Sequence, residues 1–286
     1  MLPYEQQHYE RENRRHIMNM LLRDKSLEEI LPESIFSTPA VSIRVEDTLD
    51  EAAILLPHHL ETLTDSLVAT SNDKPVGIIG GIEVLERILK NHTAESLYKT
   101  KIGDVMNKNL LIMSSKNKFS ELVSQWLQTR RAFAIIPNQY KGYSVISARK
   151  ILEVGTSFKI NSPVSAIPTK KIITFRKDET VRQIIQRMFE FSTRKLVLEE
   201  TSFYINDRII IEKLVREFNC LKDGQDFLGM NSDIFRLEEA KNVSGNITIT
   251  EACKIMQDMK SPYLRIDDKV ISPWDMVLIL NSENLS

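Results

Sequence analysis

The sequence predicts a protein of the α/β class, more narrowly α+β, built from four copies of one β-α-β-β-α unit. A short signature that precedes a helical pattern recurs four times along the 286 residues. Each recurrence is followed by two short apolar stretches that are separated by a turn, and the second stretch runs into another helical pattern. Hydrophobic residues make up 42% of the chain, which is enough for a buried core.

The four signatures are DTLDEAAILL, NKFSELVSQWL, ETVRQIIQRMF and ITITEACKIM. When Thr48, Lys118, Thr180 and Thr248 are taken as equivalent, the spacings are 70, 62 and 68 residues. These spacings exceed the repeat length of most helical solenoids, and they are too short for an ordinary full domain. We therefore expect neighbouring copies to pair, because one unit is too small to bury both its sheet and its helices.

The strands are predicted from short apolar stretches on either side of each signature. Those before the signature are AVSIRV (40–45), LLIM (110–113) and IITF (172–175). Those after its helix are SLVAT (66–70), AFAII (132–136), KLVLE (195–199) and PYLRI (262–266). The last strand and helix of each copy are VGIIGGIEVLERIL, YSVISARKIL, FYINDRIIIEKLV and VISPWDMVLIL.

This organisation divides the chain into two pairs of copies. The predicted parts are a helical N-terminal segment (1–32), a first pair (33–153, with repeats 33–92 and 99–153), a linker (154–163) and a second pair (164–282, with repeats 164–220 and 230–282). The linker contains GTSFKINSP, a composition typical of a connection between domains. We expect the N-terminal segment to dock against the core, with partner binding as the alternative.

Charge and cysteine content narrow the class of protein. Lys and Arg number 38 against 39 Asp and Glu, so the net charge of −1 gives no overall electrostatic signal for nucleic acid or an anionic membrane. Cys220 and Cys253 form no CxxC pair, and the first residues, MLPYEQQHYERENRRH, lack the apolar core of a signal peptide. We expect a cytoplasmic protein without a membrane span, a metal site or a cofactor.

A strand-to-helix junction recurs at the end of each copy. In copy four the junction ISPWD carries Ser272 and Asp275, three residues apart. The equivalent positions hold Gly80 and Glu83 in copy one, Ser147 and Lys150 in copy two, and Asn206 and Ile209 in copy three. Ser272 and Asp275 are favourable at a helix start in any protein, so a purely structural cap is one interpretation. A ligand site is the other.

The repeat order, the repeat length and SPWD resemble CBS domains, the family named after cystathionine β-synthase, over residues 33–282. Four-copy chains of this family, such as the gamma subunit of AMP-activated protein kinase and archaeal stand-alone proteins, form a disc of two pairs. The resemblance implies clefts between copies that bind adenosyl ligands: AMP, ADP, ATP or S-adenosylmethionine. It also implies that the motif Asp binds ribose hydroxyls, while the motif Ser or Thr contacts ribose or phosphate.

Carried over by position, the resemblance assigns three groups of candidate residues. The ribose group is Ser272, Asp275 and Glu83. The base group is Pro168, Ile173 and Thr193 for the copy-four cleft, with Met106 and Leu111 for the copy-one cleft. The phosphate group is Arg130, Arg131, Arg194, Lys195, Lys260, Ser147 and Lys150. Most of these cations precede the middle strand of a copy. The structural alternative to phosphate binding is that they are solvated side chains at the end of the preceding helix.

The sequence contains no GxxxxGK[ST] loop and no nucleophile–base constellation, so we expect no enzymatic activity. The expected function is a regulatory sensor whose ligand is an adenine nucleotide. The candidate partners are a regulated protein and a second copy of the chain, while the overall charge disfavours nucleic acid. The alternatives are an S-adenosylmethionine-binding module, a nucleic-acid-binding protein and a ligand-free scaffold.

Overall fold

A 3-10 turn and two short helices precede the first copy. The computed structural model describes residues 21–59, 66–168, 171–217 and 225–282, so the predicted N-terminal helical segment is described only from residue 21 onward. The turn spans Leu22–Asp24, and the helices are α1 (Leu27–Ile30) and α2 (Glu33–Ser37). Their buried apolar residues join the core of copies two and four: Leu22, Leu27, Ile30, Leu31 and Ile35.

Copies one and two each present a sheet and two longer helices. Copy one consists of β1 (Ser42–Arg44), α3 (Leu49–His59), β2 (Ser66–Ser71), β3 (Lys74–Gly80) and α4 (Gly81–Lys90). After the connecting helices α5 (Ala94–Lys99) and α6 (Ile102–Val105), copy two consists of α7 (Phe119–Thr129), β4 (Phe133–Pro137), β5 (Tyr143–Ser147) and α8 (Ala148–Ser157). In copy one, β1 is parallel to β2, and β2 is antiparallel to β3.

Copies three and four repeat this pattern with shorter strands. Copy three consists of β6 (Thr174–Phe175), α9 (Val181–Glu190), β7 (Lys195–Leu198), β8 (Phe203–Asn206) and α10 (Asp207–Arg216), and β9 (Glu238–Glu239) adds antiparallel to β8. Copy four consists of β10 (Lys241–Asn242), α11 (Ile249–Gln257), β11 (Leu264–Ile266), β12 (Lys269–Ile271) and α12 (Pro273–Ser282). The β-α-β-β-α order predicted for each copy is confirmed in copies one, three and four.

Copy two differs in its first strand. The predicted strand at 110–113 is a single parallel bridge between Ile112 and Ile135. The amide of Ile135 donates to the carbonyl of Leu111, and the amide of Met113 donates to the carbonyl of Ile135, both at 2.8 Å. The pairing of this segment with β4 stays short because the chain turns just before it. In that turn the Leu110 amide donates to the Lys108 carbonyl at 3.0 Å.

The recurring signature is a helix start. Each copy has a Glu or Gln three residues after the signature residue taken as equivalent. Its side chain accepts a hydrogen bond from the backbone amide of that signature residue. The four acceptors are Glu51, Glu121, Gln183 and Glu251. In copies three and four the Thr hydroxyl also accepts from the amide of the third helical residue, which completes a capping box. The signature therefore recurs because the start of the same helix needs these hydrogen bonds in each of the four copies.

The helices and the sheets join the copies differently. One buried apolar cluster combines copies one and three, and a second combines copies two and four. A smaller cluster joins the sheets of copies one and two: Val68, Ile78, Phe133, Ile135 and Val145. The sheets therefore contact within the first predicted pair, while the helices pack one pair against the other.

The predicted linker begins inside a helix. Helix α8 continues to Ser157, and Val154 and Gly155 are buried against copy four. A Cβ on Gly155 would meet the Cys253 thiol, with the Cys253 Cβ at 3.1 Å and a Leu280 methyl at 3.5 Å. The first residues of the segment 154–163 therefore form a close helix contact between copies two and four.

Replacing Gly155 with Ala tests this contact. Such a change in a helix normally stabilises by about 1 kcal/mol, but here overpacking against Cys253 should destabilise by about 1–3 kcal/mol. Burial raises the pKa of the Cys253 thiol to about 12, so it packs as a neutral group. Urea denaturation of Gly155→Ala, Cys253→Ala and the double variant measures the coupling. We expect the double variant to be more stable than Gly155→Ala, and equal losses in both would contradict the contact.

Candidate functional site

The four strand-to-helix junctions meet at one cavity of about 680 Å³, hereafter the junction cavity. Its wall contains the residue before each helix and the first residue of that helix: Gly80 and Gly81, Ser147 and Ala148, Asn206 and Asp207, and Ser272 and Pro273. The helices that begin there are α4, α8, α10 and α12. A helix N-terminus offers unpaired N–H groups and positive potential, so this arrangement favours an anion.

The side chains of the junction cavity add to that positive potential. Among the described residues that line it, eight are basic and two are acidic. The basic residues are Arg130, Arg131, Arg149, Lys171, Arg194, Lys195, Arg208 and Lys260, and the acidic ones are Asp207 and Asp275. Burial and then the nearby positive charge of Arg208 lower the pKa of Arg149. A chain of net charge −1 thus concentrates cations at one place.

Copy four places its two motif residues together. The carboxylate of Asp275 accepts from the backbone amide of Ser272 at 2.9 Å and from its hydroxyl at 2.6 Å. Asp275 is buried, and both residues line the junction cavity. The pair therefore caps α12 and at the same time contributes to the cavity wall. An ionised carboxylate can accept several hydrogen bonds, so capping and ligand binding are compatible.

Copy one uses its acidic motif residue inside the fold. The buried Glu83 carboxylate accepts from the Gly80 amide at 2.8 Å and forms an ion pair with Arg131 of copy two. Glu83 is not among the lining residues of the junction cavity, whereas Arg131 is. The predicted ribose role of Glu83 therefore has a competing structural role in this arrangement. Arg131 links copies one and two at the cavity wall.

Copies two and three cap their helices with polar side chains. The Ser147 hydroxyl accepts from the Lys150 amide at 3.4 Å, and the Asn206 side chain accepts from the Ile209 amide at 2.9 Å. The Lys150 ammonium donates to the Val145 carbonyl at 2.9 Å, and its burial lowers its pKa. Lys150 therefore turns back onto its own strand and is absent from the described lining of the cavity.

Some of the cations before the middle strands contact another copy, while Arg194 is paired within its own. Arg130, whose φ is 53°, donates from Nη1 to the Ser192 hydroxyl of copy three at 3.2 Å. Arg194 pairs with Asp207, with Nε at 2.7 Å from Oδ2. The Lys195 ammonium lies 4.8 Å from the centroid of the Tyr263 ring. All five cations predicted before a middle strand, these three and also Arg131 and Lys260, line the junction cavity.

Two solved structures share the fold over most of this chain, and a third matches part of it. A protein from Methanocaldococcus jannaschii, described as a proposed archaeal homologue of g-AMPK, matches with a TM-score of 0.73 at 16% identity, covering 89% of this chain and 99% of that chain. An uncharacterised conserved protein from Pyrococcus horikoshii matches with a TM-score of 0.52 at 11% identity, covering 86% and 98%. A CBS-domain containing protein from Agrobacterium tumefaciens matches with a TM-score of 0.39 at 17% identity, covering 46% and 93%.

The chain has the tandem CBS-domain fold. Neither a protein-family model nor a curated protein matches its sequence, so the arrangement of four copies carries the likeness. Within the described ranges, no helix is both long enough and apolar enough to cross a bilayer. The same ranges contain no cluster of three or more His, Cys, Asp or Glu side chains that could hold a metal ion.

The residues predicted for the base divide into two sets. Ile173 and Thr193 line the junction cavity. Pro168, Met106 and Leu111 are absent from the lining that the described residues form. Met106 packs on Gly77, whose missing Cβ would lie 2.8 Å from the Met106 Cγ. Leu111, which is partly buried, packs against the core of copies two and four.

Several residues of the cavity wall were missed by the sequence analysis. Arg149, Arg208 and Trp274 each stand two residues after the helix-capping position, and Ile82 holds that position in copy one. Aligning the four junctions by this position, as well as by the Ser and Asp positions, would have found them. Trp126 also lines the cavity, with its ring centroid 6.3 Å from that of Trp274. Trp126 is fully buried in the core of copies two and four.

Two of the missed arginines connect copies. Arg149 of copy two donates to the carbonyls of Met259 and Lys260 at the end of α11, with 2.8 Å to Lys260. Arg208 of copy three donates to the Ser261 hydroxyl at 2.7 Å and pairs with Glu238. The loop that carries Lys260 is therefore held from two neighbouring copies.

Replacing Arg131 tests the buried pair with Glu83. Arg131→Ala leaves the Glu83 carboxylate buried without its cation, which should destabilise by about 3–5 kcal/mol in urea denaturation. The double variant Arg131→Met and Glu83→Gln removes both charges and should recover most of the loss. Arg130→Ala, at the exposed neighbouring arginine, is the matched control and should cost less than about 1 kcal/mol. Equal losses for Arg131→Ala and Arg130→Ala would contradict the pairing.

Proposed function

We propose that this CBS protein is a non-enzymatic sensor that binds an adenine nucleotide in the junction cavity. The observation that carries the proposal is the charge of that cavity, where four helix N-termini meet eight basic and two acidic residues. Phosphate groups suit this environment because guanidinium groups and helix N-termini both bind them favourably. The archaeal neighbour described as a proposed homologue of g-AMPK supports the same class of function.

The phosphates would be bound by the cations of copies two and four. Lys260 is an exposed cavity residue, and its backbone is fixed by Arg149. Arg131 has a buried Nη1 with no hydrogen-bond partner among the described residues, besides the group that pairs with Glu83. A buried unpaired donor costs free energy, so a ligand oxygen near Arg131 would relieve that cost.

The nucleoside would lie at the start of α12. Asp275 and Ser272 provide the carboxylate and hydroxyl for the ribose, and the partly exposed indole of Trp274 lies between them in sequence. An adenine ring can stack on an indole and pack against aliphatic side chains such as Ile173. Both tryptophans of the chain line the cavity, so their fluorescence reports directly on occupancy.

A ligand in this cavity would contact several copies at once. Arg130 bonds to copy three, and Arg149 bonds to copy four. A ligand that binds one arrangement of the copies better shifts the population toward it, which a regulated protein partner could recognise. We expect S-adenosylmethionine to bind less well, because its sulfonium adds positive charge to a cavity that already has a surplus.

Replacing Asp275 with Ala tests the ribose site. We expect at least a tenfold loss of affinity for AMP and ATP in calorimetric and tryptophan-fluorescence titrations, because the carboxylate acceptor is removed. The variant should also lose about 1–2 kcal/mol of stability, since the amide and hydroxyl of Ser272 lose their acceptor.

Glu251→Ala is the matched control for Asp275→Ala. Glu251 accepts the same two kinds of bond from Thr248 at the start of α11, in the same copy, and it does not line the cavity. This control should lose similar stability and keep nucleotide affinity. Asp275→Ala protein that is folded and binds like the wild type would contradict the ribose assignment. If the wild type binds none of AMP, ADP and ATP in these titrations, the proposed function is contradicted.

Replacing Lys260 with Ala tests the phosphate site. A charge-assisted hydrogen bond contributes about 1.5–3 kcal/mol, so ATP affinity should fall about tenfold or more, while adenosine affinity stays within twofold. Lys254→Ala, at another exposed lysine of copy four, is the control and should leave both affinities unchanged. An equal effect of Lys260→Ala on ATP and adenosine would place the phosphates elsewhere, and tighter binding of S-adenosylmethionine than of ATP would replace the ligand class.

A further inference from the structure

The carboxylate of Asp207 packs against Gly81, the first residue of helix α4. Asp207 opens α10 of copy three, and Gly81 opens α4 of copy one. A Cβ on Gly81 would meet the carboxylate of Asp207, with its Cγ at 2.8 Å and its Cβ at 3.1 Å. Copy three therefore presents an anion at the N-terminus of the copy-one helix, in the wall of the junction cavity.

This carboxylate is fully engaged within the protein. Its Oδ2 accepts from two nitrogens of Arg194, with Nε at 2.7 Å, and its Oδ1 accepts from the Arg208 amide at 3.0 Å. Asp207 is 5% exposed. Arg194, one of the residues predicted to hold phosphate, thus already binds an anion that belongs to the chain.

Copy one offers little else to an anionic ligand. Its junction has Gly80 in place of a hydroxyl residue, and its segment before the middle strand, TLTDSL, contains no basic residue. The carboxylate of Glu83 already pairs with Arg131. Two buried carboxylates, Glu83 and Asp207, therefore pair with two of the cavity arginines, Arg131 of copy two and Arg194 of copy three.

We infer that Asp207 is a built-in anion that fills the copy-one side of the junction cavity and limits the cavity to one anionic ligand. The ligand lies on the side of copies two and four, where Lys260 and Arg130 are exposed. This inference rests on the proposed function for the identity of the ligand. Asp207 is thus a specificity-determining residue, because it sets how many anions the four similar junctions accept.

Calorimetric titration of the full chain with ATP and with inorganic pyrophosphate tests the inference. The wild type should bind one equivalent of either. Asp207→Asn keeps the size of the side chain and removes the negative charge that pairs with Arg194, so it should bind a second equivalent of pyrophosphate. Asp178→Asn is the matched control, because Asp178 forms an exposed pair with Arg176 in the same copy at 3.0 Å and should leave one equivalent.

Each result of this titration decides the inference. Two equivalents in the wild type, or one equivalent in both the wild type and Asp207→Asn, overturn it while the proposed function stands. If the wild type binds neither probe, the proposed function fails. The inference then survives only if Asp207→Asn gains pyrophosphate binding.

A second variant separates the loss of a charge from the release of Arg194. Arg194→Gln combined with Asp207→Asn removes both partners of the pair and should return the stoichiometry to one equivalent. A second equivalent in this double variant would show that Arg194 does not hold the added anion, which would overturn the assignment. Thermal melting of all variants confirms that the folded fraction is titrated.

Discussion

The structure depends on the meeting of four helix N-termini at one cavity. Each such end carries about half a positive charge, and basic side chains surround them. Buried charges cost free energy unless they are paired, so the carboxylates near these helix starts have fixed partners. Glu83 pairs with Arg131, Asp207 pairs with Arg194, and Asp275 accepts from Ser272. The absence of a side chain at Gly81 follows from the same constraint, because Asp207 occupies that space.

Much of the fold could be predicted because the repeated elements satisfy local rules. The signature of each copy contains a Glu or Gln that accepts a hydrogen bond from the backbone at the helix start, so it recurs at the same place in each unit. The strand at 110–113 was overestimated, since apolar character does not show that a neighbouring strand pairs along its full length. The predicted linker at 154–163 began within α8 because Gly155, which typically marks a turn, there permits close helix packing.

The site could be predicted less well because charges are paired between copies. The sequence places Glu83 and Lys150 at equivalent junction positions, yet Glu83 binds Arg131 of another copy and Lys150 binds its own strand. Which partner a charged side chain binds depends on which copies are in contact. The helix contacts between copies one and three and between copies two and four are not visible in a repeat pattern. Arg208 was missed for the same reason, since its partner Ser261 lies 53 residues away.

The differences among the copies have a physical consequence for the proposed ligand sensing. If all four junctions accepted an anion alike, a ligand would bind all arrangements of the copies with little preference, and it would shift no population. Here the bonds that cross between copies are unequal, because Arg194 is paired within copy three while Arg149 holds the loop of Lys260 in copy four. A single anion bound beside Lys260 would therefore act on the contact between copies two and four. That contact includes the close packing of Gly155 on Cys253, which tolerates little displacement.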